Sequence, residues 1–368
     1  MPDPGLGRVL PGSSGDLRAS PRRLPERCEV TEIPAAGDTD GVSLEWIAPF
    51  RVDVRLTLSV HRRGSHDPTF RVDPAGAIWR TCLTPDGPAT LRLTASAPDR
   101  SGVVAPVRPR SGPHGSPQAQ RASLSSLIRA RAWGPGASWM LDQVPDLLGA
   151  RDTPESFQPE DPRLRELARR FPALRIGRTD RVLEALVPAV LEQKVVGREA
   201  RRAWRYLVTR HGSPAPGPAP AGLRVVPSAA AWQEIPSWDW HRAGVEAVRA
   251  RTIAGAARLA GRLETVIVRP GGQADRMLQS LPGIGPWTAA EVRQRACGDA
   301  DAVSVGDYHI PGQVGWMLTG EPADDERMLE LLAPYAGQRY RVTRLIELSG
   351  QGPPRRGPRM SVRDYSAI

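Results

Sequence analysis

Hydrophobic and polar residues alternate through the early part of the chain and recur at helical spacing through the rest. Val42, Leu44 and Trp46 alternate with Ser43 and Glu45, a period of two that predicts a strand. Val52, Val54, Leu56, Leu58 and Val60 alternate just as strictly and, by period alone, argue for another. Residues 69–72, 77–83 and 89–94 read as short strands separated by Asp-Pro-Ala-Gly and Pro-Asp-Gly-Pro turns. A further strand is predicted over 127–133. Gly134-Pro135-Gly136 then leads into a helix carrying Trp139, Met140, Leu141, Val144, Leu147 and Leu148.

From Thr153 onward the apolar spacing is helical. Asp161 or Pro162 opens a helix through Leu164, Leu167 and Ala168 to Arg170, and after Pro172 the run Leu174-Arg175-Ile176-Gly177 forms a turn. Residues 180–192 form a strongly apolar helix whose pattern resumes at Val195 and Val196. Residues 200–209 follow with Trp204, Tyr206 and Leu207. After a Pro/Ala/Gly-rich connector over 211–228, helical patterns return at 229–233, 243–259, 275–280, 328–332 and 340–348.

Three stretches lack such order. Residues 1–40 and 351–368 are basic tails, the first rich in Pro, Gly and Ser, and about 98–121 is a Pro/Ser/Gly-rich insertion. The expected organisation is a small N-terminal α+β domain over 41–150, then a helical domain over 151–350. The fold class is therefore α+β, mainly α-helical.

The chemistry concentrates between Ala274 and Pro311. Leu281-Pro282-Gly283-Ile284-Gly285 lies between two helical patterns, and its glycines permit a tight turn. Pro286 stands near the first turn of the second helix, Trp287 to Ala296, where its missing N–H does no harm. Such a turn leaves backbone N–H groups at a helix N-terminus, a site suited to a phosphate. Asp301 and, six residues on, Asp307 follow.

Leu-Pro-Gly-Ile-Gly-Pro-Trp-Thr-Ala with these aspartates resembles the helix-hairpin-helix plus Gly/Pro/Asp (HhH-GPD) signature of the DNA glycosylase superfamily. It is most similar to the AlkA-like 3-methyladenine DNA glycosylase II branch, and the resemblance extends over most of 41–350. It implies a helical glycosylase domain behind a small mixed α/β domain, with a short helix in place of a strand within 52–60; pattern and resemblance leave that segment open. It implies that Asp307 is catalytic, with Asp301 supporting its loop, and that hairpin residues Leu281 to Gly285 hold DNA. Ile176 matches the position of the side chain that wedges into the base stack. Trp287 stands where bifunctional relatives carry a Schiff-base lysine, so an N-glycosylase without lyase activity is expected. An aromatic face there suits alkylated purines such as 3-methyladenine and 7-methylguanine, which carry positive charge. Tyr308 is a second candidate wall of the base pocket, whereas Trp133 and Trp240 read as core. Arg175 and Arg178 flank the wedge position, within reach of phosphate. The rival readings are a non-catalytic lesion-binding protein and a glycosylase for deaminated or oxidised bases.

The formal net charge of +10 and a sequence pI near 10.5 agree with a polyanionic partner, here double-stranded DNA containing damaged bases. Nearly all that charge is arginine, and Lys194 is the only lysine. A GC-rich genome would also inflate Arg, Ala, Gly and Pro, so charge ranks below the hairpin as evidence. Cys28, Cys82 and Cys297 are too scattered for a metal site or disulfide framework, and no four-cysteine cluster follows Asp307. No cofactor is expected beyond the monovalent cation that the resemblance puts on the hairpin carbonyls. With no apolar run of signal-peptide or membrane-spanning length, the reading is a cytoplasmic, nucleoid-associated monomer.

Overall fold

The computed structural model describes residues 41–96 and 126–354. The two predicted tails up to residue 40 and from 355, and the insertion around 98–121, lie outside the described residues.

Five strands form one antiparallel sheet in the order β1-β5-β4-β3-β2, where β1 is Val42–Ala48, β2 Phe70–Val72, β3 Ile78–Thr84, β4 Gly87–Ser96 and β5 Ser126–Trp133. In β1 the inward residues Leu44, Trp46 and Ala48 are buried while Glu45 and Ile47 face out, the alternation expected of a half-covered sheet. Behind it, the helix Ala137–Asp142 inserts Ala137, Met140 and Leu141 into the same core as Leu91, Leu93 and Ile128.

The segment predicted as strand by its period is instead the helix Val54–Leu58 with a following turn, Ser59–His61. Asp53 decides the outcome. Its side chain accepts the Leu56 N–H at 2.9 Å, an N-cap that starts a helix. Val54 and Leu58, four apart, then share the buried side, and an i, i+4 pair satisfies both periods over so short a run.

Beyond residue 150 the chain is helical, and its apolar side chains divide between two cores. The larger is built from the helices Val182–Leu191, Gly197–His211, Ala247–Arg258 and Pro286–Val292, with Leu186, Trp204, Leu207, Ile253, Leu278 and Ala289 at its centre. The second joins Leu164 and Leu167 of Pro162–Arg170 to Val314, Met328 and Leu345 of Ile310–Thr319, Asp325–Leu332 and Arg339–Ser349. The chain thus enters the second core, builds the whole of the first, and returns. The return crossing, 297–309, carries Asp301 and Asp307 between the two.

Two corrections to the helix pattern matter here. Residues 243–259 are not one helix: Ser237–Ala243 ends at Gly244, with φ of 75°, before Ala247–Arg258 begins. The apolar pattern across 182–196 is also broken, because Lys194 takes φ of 55° between Val182–Leu191 and Gly197–His211.

Candidate active site

The hairpin is built from Gly271–Gln279, a turn over 280–285, and Pro286–Val292, which runs on as a π-turn through Arg293–Cys297. The two glycines play different parts. Gly283 has φ of 86°, and a Cβ there would meet Thr252 Oγ1 at 2.2 Å, so the backbone and its packing both demand glycine. Gly285 is extended, with nothing within 4 Å of a would-be Cβ, so open space rather than turn geometry distinguishes it. Leu281 and Ile284 are buried and anchor the turn in the first core, while Pro282 is exposed. From the side, Gln193 Nε2 donates to Gly283 O at 2.9 Å and Thr288 Oγ1 at 2.8 Å.

The second hairpin helix also holds the loop that delivers Asp307. Gln294 Nε2 donates to Ala302 O and Ser304 Oγ, both at 2.9 Å, and Ser304 Oγ donates to Glu291 Oε1 at 2.8 Å. Lower down, Asp301 accepts the Gly337 N–H at 2.7 Å and Arg339 Nε at 2.8 Å, with Arg339 Nη2 on its other oxygen. Burial pushes the Asp301 carboxyl up, but the Arg339 guanidinium and the amides of 339 and 337 outweigh it and hold it below the usual carboxylate range. Gly306 N–H is taken by Asp325 Oδ1 at 2.9 Å. Asp301, Ser304 and Gly306 are thus pinned in turn ahead of the half-buried Asp307.

Both oxygens of Asp307 are engaged. Oδ1 accepts the backbone N–H groups of His309 at 2.7 Å and Ile310 at 3.0 Å, at the start of Ile310–Thr319. Oδ2 accepts Trp287 Nε1–H at 2.9 Å. The half-exposed indole therefore ties the hairpin helix directly to this carboxylate. Tyr308 is next to it and 87% exposed, meeting His309 edge-on at 4.9 Å.

Other predicted residues fall elsewhere. Ile176 is only 7% exposed and its N–H is held by Asp152 Oδ2 at 2.8 Å, the setting of a core side chain rather than a protruding wedge. Arg175 is buried, its guanidinium on Gly149 O and Asp152 O and over the Phe50 ring at 3.8 Å. Arg178 pairs with Asp180 and Ile267 O. Neither arginine is spent on a surface contact. Trp133 stacks on Trp79 and Trp240 on Trp232 within the interior, as expected of core.

Lys194, the only lysine, lies one position after the Gln193 that grips the hairpin, exposed, in a left-handed conformation uncommon for a residue with a side chain. A lone lysine beside a glutamine, interrupting an apolar run between Leu191 and Val195, was the available signal. The supports Glu291, Gln294 and Ser304 gave none, because their partners are distant in the pattern. Two recesses at the junction of sheet and helices lie away from Asp307, one lined by His61, Arg80, Glu184 and Arg295, the other by Trp204 and Trp232.

Among the described residues no cluster of His, Cys, Asp or Glu is arranged to hold a metal ion, and no helix is long and apolar enough to cross a membrane. Leu281 O accepts the Ile284 N–H and Gly283 O accepts Gln193, and each carbonyl keeps a second lone pair. These carbonyls are the atoms that would hold the implied monovalent cation.

An antiparallel sheet, a two-core helical body and a glycine hairpin followed by an aspartate make up the HhH-GPD DNA glycosylase scaffold. No family model matches. The chain is 34% identical over 312 residues to the probable bifunctional transcriptional activator/DNA repair enzyme AlkA of Mycobacterium tuberculosis, in strains H37Rv and CDC 1551. That alignment covers 77% of this chain and spans 60% of the length of those curated relatives. Among solved structures, the 3-methyladenine DNA glycosylase from Archaeoglobus fulgidus shares the fold at a TM-score of 0.63 and 17% identity, over 83% of this chain and 98% of that one. A DNA complex of the Clostridium acetobutylicum 8-oxoguanine glycosylase/lyase follows at 0.56 and 10%, over 85% and 97%. The chain belongs to the AlkA-like branch of the HhH-GPD superfamily.

Proposed function

We propose that this protein is a DNA glycosylase of base excision repair that hydrolyses the N-glycosidic bond of alkylated purines and leaves the strand intact. One observation carries the reading: Trp287 of the hairpin helix donates its indole N–H to Asp307, which joins the DNA-facing turn and the carboxylate in one rigid unit.

Breaking the base–sugar bond leaves the sugar carbon close to an oxocarbenium ion, and a fixed carboxylate stabilises that charge and orients the attacking water. The His309 and Ile310 amides and the indole set the angle of Asp307 in advance. The target nucleotide must first leave the base stack. Leu281 to Gly285 would hold the strand, with the open space at Gly285 admitting a phosphate and exposed Lys194, next in the chain to the Gln193 that grips Gly283, meeting the backbone or the vacated stack. Ile176 has no part in this. A cation on the hairpin carbonyls would add positive charge to the phosphate grip. Trp287 and exposed Tyr308 offer aromatic surface to a cationic purine, whose own charge already weakens its glycosidic bond.

Methylated duplexes and a panel of deaminated and oxidised lesions, each treated with and without hot alkali, test both substrate and reaction type. Release of 3-methyladenine or 7-methylguanine with strand breaks only after alkali is the expected result. Breaks without alkali would overturn the monofunctional assignment. Borohydride trapping lost in Lys194→Arg would place a lyase amine at that residue. Substrate-free binding alone would leave a lesion-binding protein.

A further inference from the structure

The Glu192–Lys194 turn is held from more sides than its length requires. Gln193 grips the hairpin, and Lys194 carries the left-handed backbone. Arg249 donates to Leu191 O at 2.8 Å, fixing the end of the preceding helix. A third hold comes from the other side of the molecule: Arg63 Nη1, in the segment after β1, contacts Glu192 Oε1 at 3.0 Å, with side chains only 10% and 27% exposed.

Arg63 is itself prepared for that contact. Asp67, 1% exposed, accepts the Arg63 N–H at 2.6 Å, the Thr69 N–H at 2.9 Å and hydroxyl at 2.8 Å, and Trp204 Nε1–H at 3.0 Å. One buried carboxylate thus shapes the loop and docks it on the helix Gly197–His211. Val60 O accepts Arg295 Nε at 3.2 Å, and Ser59 Oγ accepts Arg344 Nη2 at 2.7 Å, so the segment touches both helical cores. A backbone outlier persists only where its surroundings over-determine it, and the Arg63–Glu192 pair is the hold supplied from the sheet side.

We propose that Arg63 is a positioning residue for DNA binding: through Glu192 it fixes the turn that presents Lys194 and braces the hairpin. The sheet domain would then act on DNA affinity without touching DNA through this arginine. The inference rests on the reading of the hairpin as the DNA-binding element.

The test uses the full chain and its dissociation constant for an undamaged duplex at fixed salt, with single-turnover base release from a 7-methylguanine duplex measured at saturating protein. Arg63→Ala should weaken binding about 5- to 20-fold and change the saturated rate less than about threefold. Glu192→Gln should match it, the double variant should bind no worse than either single, and Arg63→Lys should recover most of the loss. Hydrogen exchange should quicken in peptides covering 193–194 and 283–285 but not in those covering β3. Unchanged binding in both single variants overturns the inference, as do additive losses or a loss without faster exchange at the turn. If Arg63→Ala does not fold, the near-isosteric Glu192→Gln decides. A wild-type protein that binds DNA but releases no base would sink the proposed activity, while the binding comparison would still score Arg63.

Discussion

Asp307 does two jobs with two oxygens, and a substitution can separate them. Asparagine keeps an acceptor for the His309 and Ile310 amides, so Asp307→Asn preserves the cap while removing the charge. Base release from methylated DNA should fall by about 100-fold or more, on the scale of losing a preorganised electrostatic group. Affinity for undamaged duplex should stay within about twofold; release near the wild-type rate would dismiss Asp307 as the catalytic carboxylate. Trp287→Phe removes the indole donor and part of the ring, the donor being a hydrogen bond to a charged group worth roughly 1.5–3 kcal/mol at most. It should slow release by about 5- to 50-fold and lose most of that effect in the Asp307→Asn background, because the two act as a unit. Asp301 belongs at this scale too. Its folded pKa lies below the ordinary value of 3.8, so its pairing with Arg339 stabilises the fold above that pH and the benefit is lost as pH falls through the lower, folded value. A melting-temperature series from pH 5 down to 2 should show a steeper fall for wild type than for Asp301→Asn; parallel curves would refute the linkage.

The hairpin's glycines make opposite predictions although the sequence writes them alike. Gly283→Ala places a methyl against Thr252 in a left-handed backbone, and should cost on the order of 1–3 kcal/mol in an unfolding titration. Gly285→Ala meets nothing in the protein, so its stability should move by less than about 0.5 kcal/mol while DNA affinity drops as the new methyl occupies the approach to the backbone. Equal stability losses would contradict that division of labour. The sequence could mark the hairpin as a turn, since Gly-x-Gly after an apolar helix has few other uses, but it could not say which glycine serves the fold and which the opening. The same limit explains the segment Val54–Leu58. Its alternation was real, yet Asp53 capped it into a helix, and a cap outweighs a period over five residues. The turn expected over Leu174–Gly177 falls instead at Pro172 and Ala173, and Ile176 was not legible as buried, because the Asp152 hold on it comes from 24 positions upstream. The turn that did reach the hairpin, at Gln193, showed in the sequence only as a polar interruption between Leu191 and Val195, with nothing to say that it meets residues 283 and 288.

Across the whole molecule, composition and structure weigh positive charge differently. The formal charge of +10 invites a picture of arginines coating a DNA face, yet Arg80, Arg175, Arg249 and Arg341 are buried and committed to the interior. Several more join elements, as Arg295 does at Val60 and Arg339 at Asp301. If DNA meets the surface around the hairpin and Lys194, as proposed, the footprint should be modest. If it neutralises roughly four phosphates, log affinity should fall against log salt with a slope of about −3.6 for duplex DNA. Lys194→Gln should flatten that slope by about one unit with little change across duplex sequences, as the loss of a single phosphate contact requires. The measurement is anisotropy of a labelled undamaged duplex between about 50 and 200 mM salt, a range over which such slopes are resolved. A slope near zero would move the contact surface away from the hairpin. A slope unchanged by Lys194→Gln would instead leave its strained backbone serving the hairpin's geometry alone, with its ammonium pointed away from the strand.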